Sequence, residues 1–286
     1  MSESLVGKTA VVTGGTNGIG AATALQLRAR GARVVIIGRS AAKAQELVAR
    51  SAAMPGPGSL EPVVADFSLM RNVEAAVAEL AGRIDRIDFL VHAVGIFLTR
   101  PEHTAEGLEK DFAVSYLSRF VFLEAAARHG LLTPDTRMVN LAASTPKMPK
   151  RARLEFDDLA QVTSRTGFES HSQAQTANDL LTAQAGDRYG ISALGYGPGN
   201  ADTGILRELP LTTRVLFFPF TRNKRKPEQV AEQLVGLLTD AHWSASAAGF
   251  ANKKGRFPAA SFVTDRRRQA RVLAVSTALT ERALAA

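Results

Sequence analysis

One strand-to-helix turn constrains this chain more than any other feature. Residues 13–20 read TGGTNGIG, with Gly14, Gly18 and Gly20 at G-x3-G-x-G spacing. The apolar run TAVVTG (9–14) precedes the turn, and residues 18–30 carry a helical pattern after it. Glycines in that context permit a tight turn and let the main chain approach a pyrophosphate. The free N–H groups of the helix N-terminus then face the anion. Gly14, Thr16, Asn17, Gly18, Ile19 and Gly20 are therefore the first candidates for holding a dinucleotide.

The rest of the chain repeats the same alternation. RVVIIG (33–38), EPVVAD (61–66), DFLVHAV (88–94), RMVNLAA (137–143) and ISALGYG (191–197) read as strands. Helices are predicted over about 41–52, 69–82 and 105–128, with Ser68 as N-cap of the second. Continuous Val/Ile/Leu runs are the mark of strands buried on both faces. The expected fold is therefore α/β, a parallel sheet covered by helices on both sides. A length of 286 residues with 45% hydrophobic content suits one sizeable core, so the chain is expected to form a single domain.

Composition removes several function classes. The chain has no cysteine, which excludes disulfides, thiolate nucleophiles and thiolate metal sites and is compatible with a reducing cytoplasm. The N-terminus lacks the basic-then-apolar order of a signal peptide, and no apolar run is long enough to span a membrane. A cytoplasmic protein is the expectation. The net charge is +8, and residues 222–286 hold +7 of it, in RNKRK (222–226), KKGR (253–256) and RRR (266–268). A solvated basic surface is expected there. No nucleic-acid-binding module accompanies the charge, so nucleic acid is not an expected partner. The histidines show no metal-ligand spacing, so no metal is expected.

The end of the second strand bears on which dinucleotide is bound. An acidic residue there would accept from a ribose 2′-hydroxyl, whereas this chain has Gly38-Arg39-Ser40. An arginine suits a 2′-phosphate, which favours NADP(H). Asp66 ends the third strand, placed either to meet an adenine amino group or to cap the next helix.

These pieces together resemble the short-chain dehydrogenase/reductase family, in particular its retinol-dehydrogenase-like branch. TGGTNGIG (13–20), Arg39, ADF (65–67), LVHAVG (90–95), RMVNLAAS (137–144) and GPGNADT (197–203) occur in the family's order. The resemblance implies a doubly wound sheet of about seven strands, a bound nicotinamide and a substrate lid after the sixth strand, here about residues 205–226, with a basic region over 227–286. It adds Asp66, Phe67, Ala93, Gly95, Pro198, Gly199 and Thr203 to the cofactor-binding candidates.

The departures fall on the reactive positions. That family works with an Asn, a Ser, a Tyr and a Lys. By the resemblance, Ser115 stands at the Asn position, and Ala143 at the Ser position with Ser144 beside it. In FESHSQAQTAN (168–178), His171 stands at the Tyr position and Gln175 at the Lys position. The family's Asn-Asn-Ala-Gly has become His92-Ala93-Val94-Gly95, and no Tyr-x3-Lys occurs anywhere, the tyrosines being Tyr116, Tyr189 and Tyr196. His171 and Gln175 share one helix face at i, i+4, and a histidine moves protons near neutral pH. His171, Ser144, Ser115 and Gln175 are the catalytic candidates.

Weaker candidates are His92, expected to be structural, and Glu155, Asp157 and Asp158, expected in a solvated loop or as caps. The phenylalanines of RVLFFPFTRNKRK (214–226) suit a hydrophobic lid over an apolar ligand, with an oligomer contact or membrane-surface patch as alternatives. Two function classes follow. One is an NADP(H)-dependent tailoring enzyme on an apolar small molecule, reducing an iminium or enone or carrying out isomerisation, dehydration or cyclisation. The other is a catalytically inactive NADP(H)-binding regulator or scaffold.

Overall fold

The computed structural model describes residues 4–141, 154–156, 167–199, 201, 225–241, 243 and 249–286. The first half alternates as its pattern requires: β1 (Thr9–Thr13), α1 (Gly18–Ala29), β2 (Arg33–Gly38), α2 (Ala41–Ala52), β3 (Ser59–Val64), α3 (Met70–Ala81) and β4 (Phe89–His92). Next, α4 (Lys110–Phe112) runs through a π-helical turn (Ala113–Leu117) into α5 (Ser118–Arg128), and β5 (Arg137–Leu141) follows. Beyond it come α6 (Gly167–Tyr189), β6 (Ser192–Gly197), α7 (Pro227–Leu238), β7 (Gly249–Asn252), β8 (Gly255–Phe257) and α8 (Arg266–Ala285).

The strands form one eight-stranded sheet in the order β3-β2-β1-β4-β5-β6-β7-β8. Every neighbouring pair is parallel except β7 and β8. The expected seven strands are all in parallel register, and the additional one is β8, a three-residue strand that folds back on β7. Strand order reverses between β1 and β4, the switch point at which doubly wound sheets open a crevice beyond their C-terminal strand ends.

Alternation along the strands divides the core between the two faces of the sheet. Val11, Val35, Ile37 and Leu90 pack on one side with Phe112, Phe122 and Leu180. Val12, Val34, Ile36 and Val91 pack on the other with Leu27, Val230 and Leu234. The last of these contacts belong to α7, so the basic C-terminal stretch is part of the core. Its charges lie outside: Arg266 pairs with Asp187, Arg268 with Asp265 at 3.6 Å and Arg256 with Asp240 at 3.5 Å.

Three local expectations change. β3 starts at Ser59 and carries Pro62, a residue tolerated because β3 is an edge strand. The helix expected from about 105 begins at Lys110, because residues 104–109 are taken up by a turn closed by the Thr104 and Glu109 side chains. Ser68 does not cap α3. That helix is capped from outside by Glu106, whose buried carboxylate accepts from the Met70 N–H at 2.7 Å and the Arg71 N–H at 3.3 Å. Among the described residues no helix is long and apolar enough to cross a membrane.

Candidate active site

The glycine turn between β1 and α1 is built by close main-chain approach. Gly14 has φ 68°, and a Cβ there would lie 2.6 Å from the Val94 nitrogen. A Cβ on Gly20 would lie 2.3 Å from the Gly14 oxygen. Asn17 stands at the N-cap of α1 in extended backbone, yet its side chain caps nothing and the first turn carries no acid. The helix therefore presents N–H groups without an internal carboxylate competing for them, which fits the phosphates of a dinucleotide. Ile19 is buried beneath the turn, whereas Thr16 is half-buried and Asn17 exposed.

Around this turn, Arg39 is exposed one residue beyond β2. Asp66 is exposed after β3, and its Oδ1 accepts from the Ser68 N–H at 2.9 Å, so it closes its own loop. Phe67 is buried against Phe122, with ring centroids 6.4 Å apart. Pro198 and Gly199 follow the end of β6, with Gly199 at φ 67°. Thr203, Ala143, Ser144, Asp157, Asp158 and the lid stretch 205–224 lie outside the described residues.

Residues 93–96 connect the glycine turn to a second, side-chain-built cluster. Ala93 and Val94 pack on Gly14, and a Cβ on Gly95 would lie 3.6 Å from Ser115 Oγ. Ile96 N–H donates to Ser115 Oγ at 3.1 Å, and that hydroxyl donates to Asp111 Oδ1 at 2.7 Å. His171 Nδ1 lies 3.1 Å from Asp111 Oδ2, and His171 Nε2 lies 3.2 Å from Gln175 Nε2. A carboxylate only accepts, so Asp111 places the imidazole proton on Nδ1. The Nε2 lone pair then receives an amide N–H from Gln175. Phe97 meets the His171 ring edge-on, with centroids 5.2 Å apart.

Helix geometry explains how these residues meet. Asp111 and Ser115 are i, i+4 across the start of the π-helical turn, and His171 and Gln175 are i, i+4 on α6. The Ser115 carbonyl within that turn accepts from Asn178 Nδ2 of α6 at 2.7 Å. The inward face of α6 is correspondingly polar, with Gln173, Gln175, Thr176, Asn178 and Thr182 all buried.

Three more buried groups surround the cluster. Glu109 caps α4 by accepting from the Phe112 N–H at 2.8 Å, and burial pushes its carboxyl up to about 7. Arg119 on α5 donates to Val94 O, Asn140 Oδ1 and Leu141 O, clipping together the ends of β4 and β5. His92 is fully buried, 3.2 Å from Thr13 Oγ1, and burial holds it well below the usual imidazole range. None of the tyrosine hydroxyls joins the cluster. Tyr116 pairs with Ser276 at 2.7 Å, Tyr189 donates to Glu124, and Tyr196 donates to Gln233.

The structure thus unites three of the four catalytic candidates, His171, Ser115 and Gln175. It adds Asp111, Glu109 and Arg119, which sequence reading passed over. The i, i+4 spacing of Asp111 and Ser115 was available as a signal, but their meeting with His171, 60 positions away from Asp111, was not. Glu155 does not join them; its main-chain N–H donates to Gln173 Oε1 at 3.1 Å. Among the described residues no group of His, Cys, Asp and Glu could hold a metal ion.

Comparison with known proteins agrees with this fold. Residues 8–153 match the sequence profile of the short chain dehydrogenases. A Streptomyces sp. (strain C5) protein assigned as a daunorubicin C-13 ketoreductase is 29% identical over 225 residues, covering 78% of this chain and 76% of the relative. Human retinol dehydrogenase 14 is 30% identical over 229 residues, covering 74% of this chain and 67% of the relative. A crystallised dehydrogenase/reductase from Sinorhizobium meliloti 1021 is 25% identical, with TM-score 0.65, over 87% of this chain and 94% of its own.

Proposed function

The chain belongs to the short-chain dehydrogenase family, and from that premise we propose that it is an NADP(H)-dependent tailoring enzyme whose proton-transfer group is His171. Gly14, Thr16, Asn17, Gly18, Ile19 and Gly20 would hold the pyrophosphate and Arg39 the 2′-phosphate. Asp66, the Phe67 main chain, Ala93, Gly95, Pro198, Gly199 and Thr203 would line the remainder. The uncapped N-terminus of α1 and the contacts that leave no room for a Cβ at Gly14 and Gly20 support that assignment. Bound nicotinamide supplies hydride exchange to the site.

The observation that carries the reading is the Asp111–His171 pair, 3.1 Å apart beside Ser115. Tyr-x3-Lys is absent from the sequence, so the family's usual proton donor has no counterpart here. Asp111 orients the imidazole and would stabilise it when it takes up a second proton. Gln175 would follow that change. Its amide N–H donates to a neutral Nε2, and a turn of the same amide presents the oxygen to a protonated Nε2. A substrate oxygen or carbon entering at Nε2 would take the place of Gln175. Ser115, its hydroxyl committed to Asp111, holds the carboxylate in register. Ser144 is the remaining polar candidate.

Such a site suits acceptors that need little protonation: an iminium, which hydride alone neutralises, a conjugated enone, which takes one proton as well, or a carbon skeleton that is isomerised or dehydrated. The half-buried Ile96 and Phe97 beside His171 favour an apolar ligand. NADPH consumption against enones, iminium salts and simple ketones tests the proposal. Turnover confined to the first two, with enone turnover lost and iminium turnover kept in His171→Phe, supports it. Turnover of simple ketones at about 1–10³ s⁻¹, unaffected by His171→Phe, sinks it.

One observation favours the second reading, a non-catalytic NADP(H)-binding protein. Both imidazole nitrogens already have partners inside the fold. On that reading NADPH binds, and no acceptor in the panel is turned over.

A further inference from the structure

Arg119 is a buried charge that the proposed chemistry leaves unused. It is 2% exposed. Its guanidinium donates to Leu141 O at 2.6 Å and also to Val94 O and Asn140 Oδ1. These acceptors are neutral carbonyl groups, and among the described residues no carboxylate is hydrogen-bonded to it. Burial pushes its pKa down to about 9, which leaves it a cation at neutral pH. His92 nearby is held uncharged by burial and by Arg119 itself. Asp111 is the acid whose field Arg119 feels, and its carboxylate is shared between Ser115 Oγ and His171 Nδ1. Glu109, pushed up to about 7, carries only part of a charge near neutrality.

The position of this cation relative to a dinucleotide follows from the sheet. The phosphates belong at the N-terminus of α1, between β1 and β4. On the reading above, Arg39, past the end of β2, would take the phosphorylated nucleoside. The other half of the molecule would then lie toward the C-terminal ends of β4 and β5, where Arg119 clips Val94 to Leu141. That half carries the ring that is cationic when oxidised and neutral when reduced.

We propose that Arg119 makes this site discriminate between the redox states of its cofactor, favouring the reduced, neutral ring over the oxidised, cationic one. The inference rests on the NADP(H) reading above and deepens it. A fixed buried cation repels a second cation across a poorly screened interior and leaves a neutral ring unaffected. Asp111 acts with the opposite sign. The two residues together set the preference, and the protein would act as a reductase that releases its oxidised cofactor readily.

The test measures Kd for NADPH by its fluorescence and for NADP+ by competition, in the parent protein and in Arg119→Gln, Arg119→Lys and Asp111→Asn. The parent is expected to bind NADPH about tenfold or more tightly than NADP+. Arg119→Gln should narrow that ratio about tenfold, Arg119→Lys should keep it within about threefold, and Asp111→Asn should widen it. A purely structural clip would weaken both nucleotides alike and leave the ratio unchanged. An unchanged ratio in Arg119→Gln, or a ratio that fails to widen in Asp111→Asn, overturns the proposal. Should Arg119→Gln not fold, Asp111→Asn and Arg119→Lys decide by the same criteria. If the parent binds neither nucleotide, the cofactor reading itself falls and takes this inference with it.

Discussion

Two regions meet at residues 93–96, and they are made in different ways. The glycine turn between β1 and α1 is a shape of the main chain, set by what Gly14 and Gly20 lack. The cluster behind it is an arrangement of side chains: Asp111 and Ser115 from one helical segment, His171 and Gln175 from another. A backbone-built site tolerates almost no added atom but is indifferent to the chemistry of its neighbours. A side-chain-built site accepts new residues readily, and each one changes what the site can do. On the proposed reading, this fold keeps its cofactor cradle while its reactive positions are rewritten.

The largest expected effect comes from breaking the cradle by a single methyl group. In Gly20→Ala the Cβ would lie 2.3 Å from the Gly14 oxygen, a main-chain atom that cannot turn aside. NADPH titration should show affinity reduced by about a hundredfold or more, from displacement of the turn that meets the phosphates. His171 imidazole resonances should stay at their parent positions. An affinity within about threefold of the parent would mean that the turn is not the nucleotide site.

This contrast also governs what the sequence reveals. The turn is contiguous, so its glycines, its preceding strand and its following helix are all legible within residues 9–30. The parallel order of the sheet follows from the same local alternation. Glu106 is not legible as the cap of α3, because the capping carboxylate lies 36 positions from Met70 and only the folded chain joins them. Asp111 is half hidden. Its i, i+4 spacing to Ser115 is local, but its contact with His171 exists only once α6 brings the imidazole within 3.1 Å. Arg119 reads as one of several polar residues in α5, until it is found holding the carbonyls at the ends of β4 and β5.

The next effect sharpens the comparison from the reactive side. His171→Phe keeps a ring against Phe97 but removes both nitrogens. Turnover of an enone should fall about 10²-fold, with NADPH affinity within about twofold. Asp111→Asn should also reduce turnover, because an amide no longer specifies which nitrogen carries the proton. Nitrogen chemical shifts of His171 should then show the two tautomers mixed. Full activity in His171→Phe would reduce the cluster to a packing arrangement and favour the non-catalytic reading.

A third effect separates the regions by pH. Glu109 is raised from 4.5 to about 7 by burial, so between those values the folded protein holds a proton that the unfolded chain has released. Stability should therefore fall as pH rises through that window, with the full loss reached above about 7. Glu109→Gln cannot ionise and keeps an oxygen for the Phe112 N–H. It should match the parent at pH 5 and exceed it above pH 7 by up to about 3 kcal/mol. Denaturant titrations at the two pH values measure this. A parallel pH dependence in both proteins would assign it elsewhere.

The smallest effect returns to the cradle, at the position where side-chain chemistry does matter. Arg39 is exposed at the edge of the crevice, so its charge is screened by water and its contribution should be modest. Arg39→Asp should weaken NADPH about tenfold, through loss of a charge-assisted contact to the 2′-phosphate and gain of a repulsion. NADH carries a 2′-hydroxyl, which the new carboxylate can accept from, so its affinity should hold or rise slightly. The two Kd values, measured together with and without added salt, give the ratio and its ionic-strength dependence. Salt should shrink the NADPH preference of the parent and shift that of Arg39→Asp in the opposite direction, because it screens an attraction in one and a repulsion in the other. Equal losses for both nucleotides would detach Arg39 from the 2′-phosphate. Selectivity would then have to come from the glycine turn, whose main-chain groups meet the pyrophosphate common to NADPH and NADH and so have no means of telling the two apart.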